Sequence, residues 1–526
     1  MGKETNKGTE AWHNLGAIEA LKEKGRHVLK VEEKQIAIFE TKGGLFAINN
    51  RCPHEGYPLV EGTLNDDCTL ACNWHGWAFD LQSGEALQGR DPVRTYPVER
   101  RGQDIWIDLS SLDSTTLASR AYAEFDEAVE EHDYARIARS LCRLEKAGIT
   151  FEEVAKRVID WSVGKFERGF GHAHAGLADW IELAGADGDL RLVAYLEAFG
   201  HFSWDGVFSP APSLSQDILP WDKDALQDDL QAMKGANVQA RIRGAFAEGL
   251  GFADIKSTML DFVFSHYMGF GHSAIYVSKL ETLVRLLGTE MEQSLALLLG
   301  RHLCLASRED QIPEFRSFGD YLNVEEGLVE VPSPLAFSGQ SVRQSMALVA
   351  GSMAHKERLF DSLLAASALN MLVFDDGRQH RVEQPIAQNV GWLDFTHALT
   401  FAEAFYGHAQ VNPEYWKSGL LQMACFVGRN ARYLADQDWS GWRIDDRERF
   451  MAEQKAMLFN MDVGEYIYSV HRLKILVALE KLERIASPET TEMLYAAVNR
   501  YLHSHLRQRH PARVAFQARE SVAHEG

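Results

Sequence analysis

The sequence predicts a multidomain protein in which a small all-β domain is followed by a large all-α domain. Up to about residue 110, apolar and polar residues alternate in short runs, as they do in half-buried strands. From about residue 117 onward, apolar residues recur every three or four positions, as on one face of a helix. The polar segment 110–116 separates the two patterns, and we place the domains at residues 1–112 and 118–526.

The elements of the β domain follow from the alternating pattern. Strands are predicted at 26–31, 35–40, 45–48 and 104–109. The letters TKGG at 41–44 predict a turn between the second and third of these strands, because paired glycines favour tight turns.

The elements of the α domain follow from the helical period. Helices are predicted at 121–144, 151–163, 172–184, 189–201, 224–248, 254–268, 272–287, 291–305, 341–374, 391–408, 415–434, 447–459, 465–485 and 489–508. Proline-containing breaks are expected near 209–212 and 311–340.

Composition excludes several classes of function. The chain of 526 residues carries 75 acidic and 54 basic side chains, and this balance argues against nucleic acid or an anionic membrane as partner. No apolar stretch approaches ~18 residues, and the first residues lack the apolar core of a secretion signal. Six cysteines in so long a chain indicate a reducing compartment, so we expect a cytoplasmic protein. Cys142, Cys304 and Cys425 are predicted to be buried packing residues.

The strongest motif consists of two short segments that each carry one cysteine and one histidine. They read C-x-H at Cys52 and His54, and C-x-x-H at Cys72 and His75. Four such ligands can hold a zinc ion, or a [2Fe–2S] cluster with two imidazoles on one iron. A common zinc finger keeps its cysteine pair and its histidine pair on separate elements, so the order here favours the iron–sulfur cluster.

The letters around these ligands, CPHEGYPL and CNWHGWAFDLQSGEA, resemble the Rieske family of the ferredoxin and ring-hydroxylating oxygenase type over residues ~10–110. The resemblance implies a [2Fe–2S] cluster on Cys52, His54, Cys72 and His75.

High-potential members of that family carry an additional cysteine in each loop, joined as a disulfide. Tyr57 and Trp74 stand at the corresponding positions, so the resemblance implies that this disulfide is absent. Cys68 matches no ligand position and is interpreted as structural.

Two known catalytic folds are disfavoured for the helical domain. The α/β catalytic domain of Rieske oxygenases uses D-x-x-H followed closely by a second histidine, whereas His408 lies too far beyond Asp394 and His397. A ferritin-like di-iron bundle needs Glu-x-x-His pairs on facing helices. Only Glu10 and His13 fit that spacing, and they precede the predicted strands.

Histidines in the helical domain indicate a second metal site. Many lie in or beside apolar helical runs: His172, His174, His201, His266, His272, His302, His355, His397, His408 and His471. A subset that lines one pocket could bind iron, copper or zinc through neutral imidazole. The letters GFGH occur at 169–172 and at 269–272, each before a helical run. They reflect either chance or a duplicated unit, and duplication would bring His172 and His272 to one cavity.

A second resemblance covers short helical segments. The runs GFGHSAIYVSKLETLVRLLG, WLDFTHALTFAEAF and YSVHRLKILVALEKL resemble the questin oxidase-like family, which is all-α and includes Baeyer–Villiger-type oxidases. The resemblance implies His272, His397 and His471 as catalytic residues, with Lys279 and Lys474 as neighbours. Fusion to a Rieske domain departs from that family and suggests a metal or another electron acceptor in this member. The predicted metal ligands of the helical domain are His172, His272, His397 and His471.

These patterns lead to two expectations of function. The first is a Rieske-type oxidoreductase, an O2-dependent monooxygenase in which the cluster relays electrons to non-heme iron in the helical domain. Its partners would be a small organic substrate, O2 and an electron-donating reductase or ferredoxin, and electron transfer between subunits would require a homo-oligomer. The alternative is a non-enzymatic electron-transfer or redox-sensing protein whose helices form a docking scaffold.

Overall fold

A computed structural model of the chain describes residues 12–31, 34–65, 67–110, 112–210, 212, 214–324, 330–461, 464–507 and 509–523. The chain divides into two compact units, Met1–Arg120 and Ala121–Gly526. In the described residues, every strand longer than a single bridge lies in the first unit, and the second unit is helical. The predicted fold class is therefore confirmed. The domain limits at 112 and 118 stay a prediction.

The first unit contains three small antiparallel sheets. Its strands are β1 (Trp12–Asn14), β2 (Arg26–Val31), β3 (Lys34–Thr41), β4 (Gly44–Asn49), β5 (Thr63–Leu64), β6 (Thr69–Ala71), β7 (Ala78–Asp80), β8 (Ala86–Gln88), β9 (Thr95–Tyr96), β10 (Val98–Arg101) and β11 (Asp104–Asp108), with a short helix α1 (Glu19–Lys24) before β2. The strand orders are β1-β11-β10, β2-β3-β4-β9 and β5-β6-β7-β8.

Strand β3 explains how the first unit is packed. Successive side chains of a strand point to opposite faces. Ala37 and Phe39 therefore enter one buried cluster, whereas Ile36 and Ile38 enter another. Full burial of Ile36, Ile38 or Phe39 stabilises the fold by about 1.5–3 kcal/mol for each side chain. The first of these clusters also contains Cys52 and Cys72, so β3 contributes to the core in which the two loop cysteines are buried.

The predicted linker is shorter than expected. Helix α2 begins at Ser114, inside the segment 110–116, and its first turn is capped from the preceding residue. The Asp113 carboxylate accepts hydrogen bonds from the Thr116 backbone N–H at 2.9 Å and from the Thr116 hydroxyl at 2.6 Å. An aspartate that accepts from the third residue after it is a strong helix start, and this local cap outweighs the polar composition.

The second unit is built from long helices. They are α2 (Ser114–Glu131), α3 (Tyr134–Lys146), α4 (Phe151–Val163), α5 (His172–Ala184), α6 (Gly188–Phe208), α7 (Lys223–Gln231), α8 (Gly235–Ala247), α9 (Phe252–Ser265), α10 (His272–Leu287), α11 (Glu292–Leu305), α12 (Phe318–Leu322), α13 (Val342–Gly351), α14 (Lys356–Leu372), α15 (Trp392–Val411), α16 (Tyr415–Asn430), α17 (Arg447–Leu458), α18 (Tyr466–Leu482), α19 (Pro488–His503) and α20 (Pro511–Ala523). Among the described helices, none has both the length and the apolar composition needed to cross a membrane.

Four of these helices form a bundle at the centre of the unit. Helix α5 packs on α10, α10 on α15, α15 on α18, and α18 on α5. Two pairings one hundred residues apart, His172 with His272 and Asp179 with Lys279, show that α5 and α10 run in the same direction. Helices α15 and α18 also run in the same direction. His397 of α15 meets His471 of α18, and further along both helices Glu403 pairs with Lys481. The four amino-terminal ends therefore lie together.

Three predicted helices are each divided in two. The run 341–374 breaks between α13 and α14 at the short turn Met353–His355. The run 121–144 breaks between α2 and α3 at His132, and the run 224–248 breaks between α7 and α8 at Met233. Both residues have a left-handed backbone, with φ of 54° and 53°. Residues other than glycine rarely adopt this conformation, so the local sequence did not indicate either break.

The predicted burial is wrong for one of the three cysteines of the helical domain. Cys304 and Cys425 are buried as expected, but Cys142 is exposed. It lies on the outer face of α3, whose buried side is formed by Ile137, Leu141 and Leu144 at helical spacing.

Gly169, the first residue of the first GFGH segment, is expected to tolerate no side chain. Its φ is +73°, and a Cβ atom there would lie 2.1 Å from the Leu298 carbonyl oxygen of α11. We expect Gly169→Ala to destabilise the helical domain by about 2 kcal/mol or more, measured as a lower midpoint of thermal unfolding. The control is Gly171→Ala, where the nearest atom to a Cβ is 4.0 Å away, and its cost should stay below about 1 kcal/mol. Equal midpoints for the two variants would contradict this account.

Candidate metal centres

The two cysteine–histidine loops of the β domain have the same backbone design. In the first loop, the Cys52 N–H donates to the Tyr57 carbonyl at 2.9 Å, and the Gly56 N–H donates to the Cys52 carbonyl at 2.8 Å. In the second loop, the equivalent bonds run from Cys72 to Trp77 and from Gly76 to Cys72, at 2.7 and 2.9 Å. Gly56 and Gly76 have φ of +76° and +73°, which glycine adopts without strain.

The loops bring their four ligand-type side chains to one place. The Nδ1 atoms of His54 and His75 lie 3.1 Å apart. Their rings meet edge to face at 4.6 Å, and Trp77 stacks on His54 at 4.9 Å. Cys52 and Cys72 are buried, and neither forms a disulfide.

The two buried thiols favour a cationic occupant. Burial and the neighbouring Cys72 raise the pKa of the Cys52 thiol to about 11, although backbone N–H groups of His54 and Glu55 act in the opposite direction. Two adjacent thiolates are therefore unstable by themselves. A bound metal centre is what allows both to lose their protons.

An aromatic contact joins the two loops at the positions where a disulfide is predicted to be absent. Tyr57 and Trp74 stack at 5.9 Å with nearly parallel rings, so an aromatic contact joins the two loops. Cys68 lies in the turn before β6, where its sulfur contacts the Thr41 hydroxyl at 3.4 Å.

The helical domain brings four histidines together at the amino-terminal ends of its central bundle. Each of the helices α5, α10, α15 and α18 contributes one: His172, His272, His397 and His471. The Nε2 atoms of His172 and His272 are 3.1 Å apart, and those of His397 and His471 are 3.0 Å apart. The rings of His272 and His397 lie 4.3 Å apart, and those of His172 and His471 lie 4.9 Å apart, so the four rings form a closed set.

Backbone carbonyls fix the orientation of three of these rings. His272 donates from Nδ1 to the Gly269 carbonyl, and His471 donates from Nδ1 to the Ile467 carbonyl. The Leu393 carbonyl accepts from His397. With the proton on Nδ1, each Nε2 carries a lone pair, and facing lone pairs at 3 Å repel one another. This is the tautomer and orientation that metal-bound histidines adopt.

The four imidazoles are neutral at physiological pH. Burial lowers the pKa of His172, His397 and His471 far below its ordinary value, and it lowers that of His272 to about 4. The charge of Lys474 contributes to the lowered pKa of each of the four rings. Neutral imidazole is the form that binds metals, so no proton has to leave these rings first.

A layer of charged residues lies one to two turns further along the bundle. Asp179 and Lys279 form a buried ion pair at 2.5 Å. The Lys474 amine is also buried, but no described residue accepts a hydrogen bond from it. Burial lowers its pKa to about 8.

Comparison with known proteins concerns the β domain. A family model described as Rieske [2Fe-2S] domain matches residues 11–97. The ferredoxin subunit of 3-phenylpropionate/cinnamic acid dioxygenase from Shigella boydii serotype 4 (strain Sb227) is 46% identical over 76 residues, which is 14% of this chain and 72% of that protein. The chain belongs to the Rieske [2Fe-2S] family.

Other relatives match the same Rieske domain. The corresponding subunit from Escherichia coli (strain K12) gives the same identity and coverage. The solved ferredoxin of carbazole 1,9a-dioxygenase from Nocardioides aromaticivorans IC177 is 24% identical, covers 18% of this chain and 98% of its own, and has a TM-score of 0.17. The predicted family and [2Fe–2S] cofactor are confirmed. The chain thus joins a Rieske domain to a large helical region that these relatives do not cover.

A cavity opens beside the four histidines of the helical domain. Its volume is about 500 Å³, and His172 and His272 form part of its wall. Six aromatic residues also line it: Phe166, Phe170, Trp204, Phe208, Phe270 and Tyr276. The Tyr276 hydroxyl lies 3.5 Å from Nδ1 of His172, the one ring without a backbone carbonyl partner in the described contacts. The cavity is large enough for a small organic molecule.

Other histidines from the sequence lie outside the set of four. The His174 Nε2 atom is 2.9 Å from the Ser162 hydroxyl, on a different face of α5 from His172. His408 lies near Ser278 and the Ala274 carbonyl, so the incomplete D-x-x-H pattern brings no second histidine to His397. Asp394 of that pattern accepts from the Gly391 N–H at the start of α15.

The two GFGH segments deliver equivalent histidines through different backbones. Gly171 is extended with φ of −137°, whereas Gly271 is left-handed with φ of +82° and follows a tight turn. The shared letters therefore do not form one repeated backbone unit, although both place a histidine at the first position of a helix.

Two residues of this region were not found from the sequence. Tyr276 follows His272 by four positions, so its place on the same helix face could have indicated it. Asp205 also lines the cavity, and no local pattern pointed to it.

Proposed function

We propose that this protein is an oxidoreductase, an O2-dependent monooxygenase that acts on a small organic substrate in the helical domain. In this proposal, Cys52, His54, Cys72 and His75 hold the [2Fe–2S] cluster. His172, His272, His397 and His471 hold a non-heme iron. The observation that carries the proposal is the convergence of four neutral imidazoles, beside an aromatic cavity, in a chain that also contains a Rieske domain.

In this proposal, different groups of residues hold the metals, orient the imidazoles and bind the substrate. When bound, the cluster supplies single electrons and the iron supplies the reducing centre for O2. The carbonyls of Gly269, Leu393 and Ile467 hold three imidazoles with Nε2 facing inward. The aromatic walls of the cavity bind an apolar substrate and exclude water from the edge formed by His172 and His272.

Electrons would enter at the exposed edge of the Rieske domain. The His75 side chain is 39% exposed and Trp74 is 62% exposed, so a reductase or ferredoxin can approach this edge without rearrangement. Transfer onward to the four-histidine site occurs within one chain or between chains of a homo-oligomer.

The decisive experiment combines metal analysis with electron paramagnetic resonance of the purified protein. We expect more than about two iron atoms per chain, and a second paramagnetic centre besides the signal of the reduced cluster. Iron at about two atoms per chain with no further metal would reject the proposal. That outcome would favour a non-enzymatic electron-transfer or redox-sensing protein.

Metal affinity at the four-histidine site is expected to depend on the proton of Lys474. The charged amine repels a cation, and its pKa is about 8, so affinity should rise with pH up to about 8 and then level off. The rise approaches tenfold per pH unit if the proton must leave before the metal binds. The measurement is a titration with cobalt(II) against a competing chelator between pH 6 and 9.

Two substitutions test this origin of the pH dependence. Lys474→Met should abolish the rise below pH 8, because no amine remains to titrate. Lys481→Met, on the same helix and paired with Glu403 at 3.1 Å, should leave the rise intact. An unchanged rise in Lys474→Met would assign the pH dependence to another group.

A further inference from the structure

The proposed reaction needs protons as well as electrons. Insertion of one oxygen atom follows RH + O2 + 2 e⁻ + 2 H⁺ → ROH + H2O, so two protons must reach the cavity in each turnover. The four imidazoles cannot supply them. They are neutral, and three of them keep their single N–H on a backbone carbonyl. Another group has to carry protons from solvent.

Only one carboxyl group lines the cavity among the described residues. The ionisable side chains of the lining are Asp205, Arg168, His172, His272, His302 and Tyr276. Asp205 lies on the last turns of α6, between the partly exposed Trp204 and the exposed Phe208. Its side chain is 33% exposed, so this carboxyl group faces the cavity and can also exchange protons with water at the mouth.

Among the described contacts, no Lys or Arg side chain pairs with Asp205, although Arg168 lines the same cavity. The nearest described partner of Asp205 is His201 of the same helix, whose Nε2 lies 3.5 Å from the carboxyl. Burial lowers the pKa of His201 to about 3, so that ring is neutral. From the packed helices, the uncharged Trp161 of α4 covers Gly206, and Tyr466 of α18 stacks on His201. Burial raises the pKa of Asp205 to about 7 with no opposing ion pair, so the group gains and loses a proton near neutral pH.

Building on the function proposed above, we propose that Asp205 is the proton donor of the cavity. Its carboxylic O–H bond breaks, a new O–H bond forms on an oxygen atom of the reacting group in the cavity, and a carboxylate remains. The carboxylate then takes a proton from solvent at the mouth. Two such cycles supply the two protons of one turnover. Tyr276 is buried beside His172 and lines the same cavity, and burial together with the charge of Asp205 raises the pKa of its hydroxyl.

The test uses the holoprotein and needs no substrate. The protein is reduced with dithionite, desalted and mixed with O2, and its reoxidation is followed by cluster absorbance between pH 5.5 and 9. The uncoupled reaction, O2 + 2 e⁻ + 2 H⁺ → H2O2, also consumes two protons. We expect the wild-type rate to fall above about pH 7 as the donor loses its proton. Asp205→Asn should react about 100-fold more slowly at pH 6 and lose this pH dependence.

Further variants separate a chemical role from a structural one. Added formic acid should partly restore the rate of Asp205→Asn, and Asp205→Glu should retain most of it. Asp217→Asn, an exposed carboxyl outside the cavity lining, should behave as wild type. Metal content and the cluster signal should be unchanged in all three.

Two outcomes distinguish the failure of this inference from that of the proposed function. If His272→Ala is slow but Asp205→Asn keeps the wild-type rate and pH profile, Asp205 is not the donor. If His272→Ala itself reacts with O2 at the wild-type rate, O2 reduction does not occur at the four histidines, and the proposed function fails together with this inference.

Discussion

Replacing His397 by alanine is expected to remove the second metal from the protein while leaving the [2Fe–2S] cluster intact. The Nε2 of His397 faces that of His471 at 3.0 Å, and its ring lies 4.3 Å from that of His272, so alanine opens one side of the closed set. Loss of a residue that only orients a metal ligand already weakens binding by about 10–100-fold. Loss of a direct ligand should cost more than about 100-fold in affinity.

The measurement pairs metal analysis with thermal unfolding. Ferrous iron should raise the unfolding midpoint of the wild-type helical domain, because ligand at about 1,000 times its Kd stabilises the folded state by about 4 kcal/mol. It should not raise the midpoint of His397→Ala. His272→Ala should behave in the same way as His397→Ala, because both rings belong to the closed set.

The matched control is His408→Ala, on the same helix α15. His408 is equally buried but contacts Ser278 and the Ala274 carbonyl instead of the other histidines. This variant should retain the second metal, even though it loses some stability. If His272→Ala and His397→Ala both keep the metal at wild-type content, the four-histidine site is wrongly assigned.

Replacing Cys72 by serine is expected to abolish the [2Fe–2S] cluster. Cys72 is buried beside Cys52. A serine hydroxyl at this position is not expected to replace the thiolate as a cluster ligand. The visible absorbance and the signal of the reduced cluster should disappear almost completely. Metal bound at the four histidines should remain, since those residues belong to the other compact unit.

Cys68→Ser provides the control within the same domain. Cys68 is also a free cysteine, but its sulfur contacts Thr41 and not the two loop cysteines. This variant should keep full cluster absorbance. Loss of the cluster in Cys68→Ser, or its retention in Cys72→Ser, would contradict the ligand assignment.

Local patterns predicted most of the helices, and two of the missed helix breaks have a common cause. Strand β2 is observed at the predicted residues, and helices α4, α5 and α10 have the predicted limits. The breaks at His132 and Met233 were missed because both residues adopt a left-handed backbone that their letters do not indicate.

The sequence by itself determined the Rieske domain and its cofactor. The loop ligands are two and three residues apart within each segment, so a short stretch of chain carries the whole chemical signature. The same local spacing sets the backbone hydrogen bonds that shape each loop.

Only the tertiary structure decided which histidines of the helical domain meet. His172 and His272 are 100 residues apart, and His397 and His471 are 74 residues apart. The sequence alone could only propose these four among several candidates. A histidine on an apolar helix face is equally consistent with core packing, so the pattern does not distinguish a metal ligand from a packed residue. Their convergence depends on how four helices pack with their amino-terminal ends together, and long-range packing leaves no local pattern. For the same reason only the folded structure identified Asp205, because its raised pKa results from burial beside a cavity.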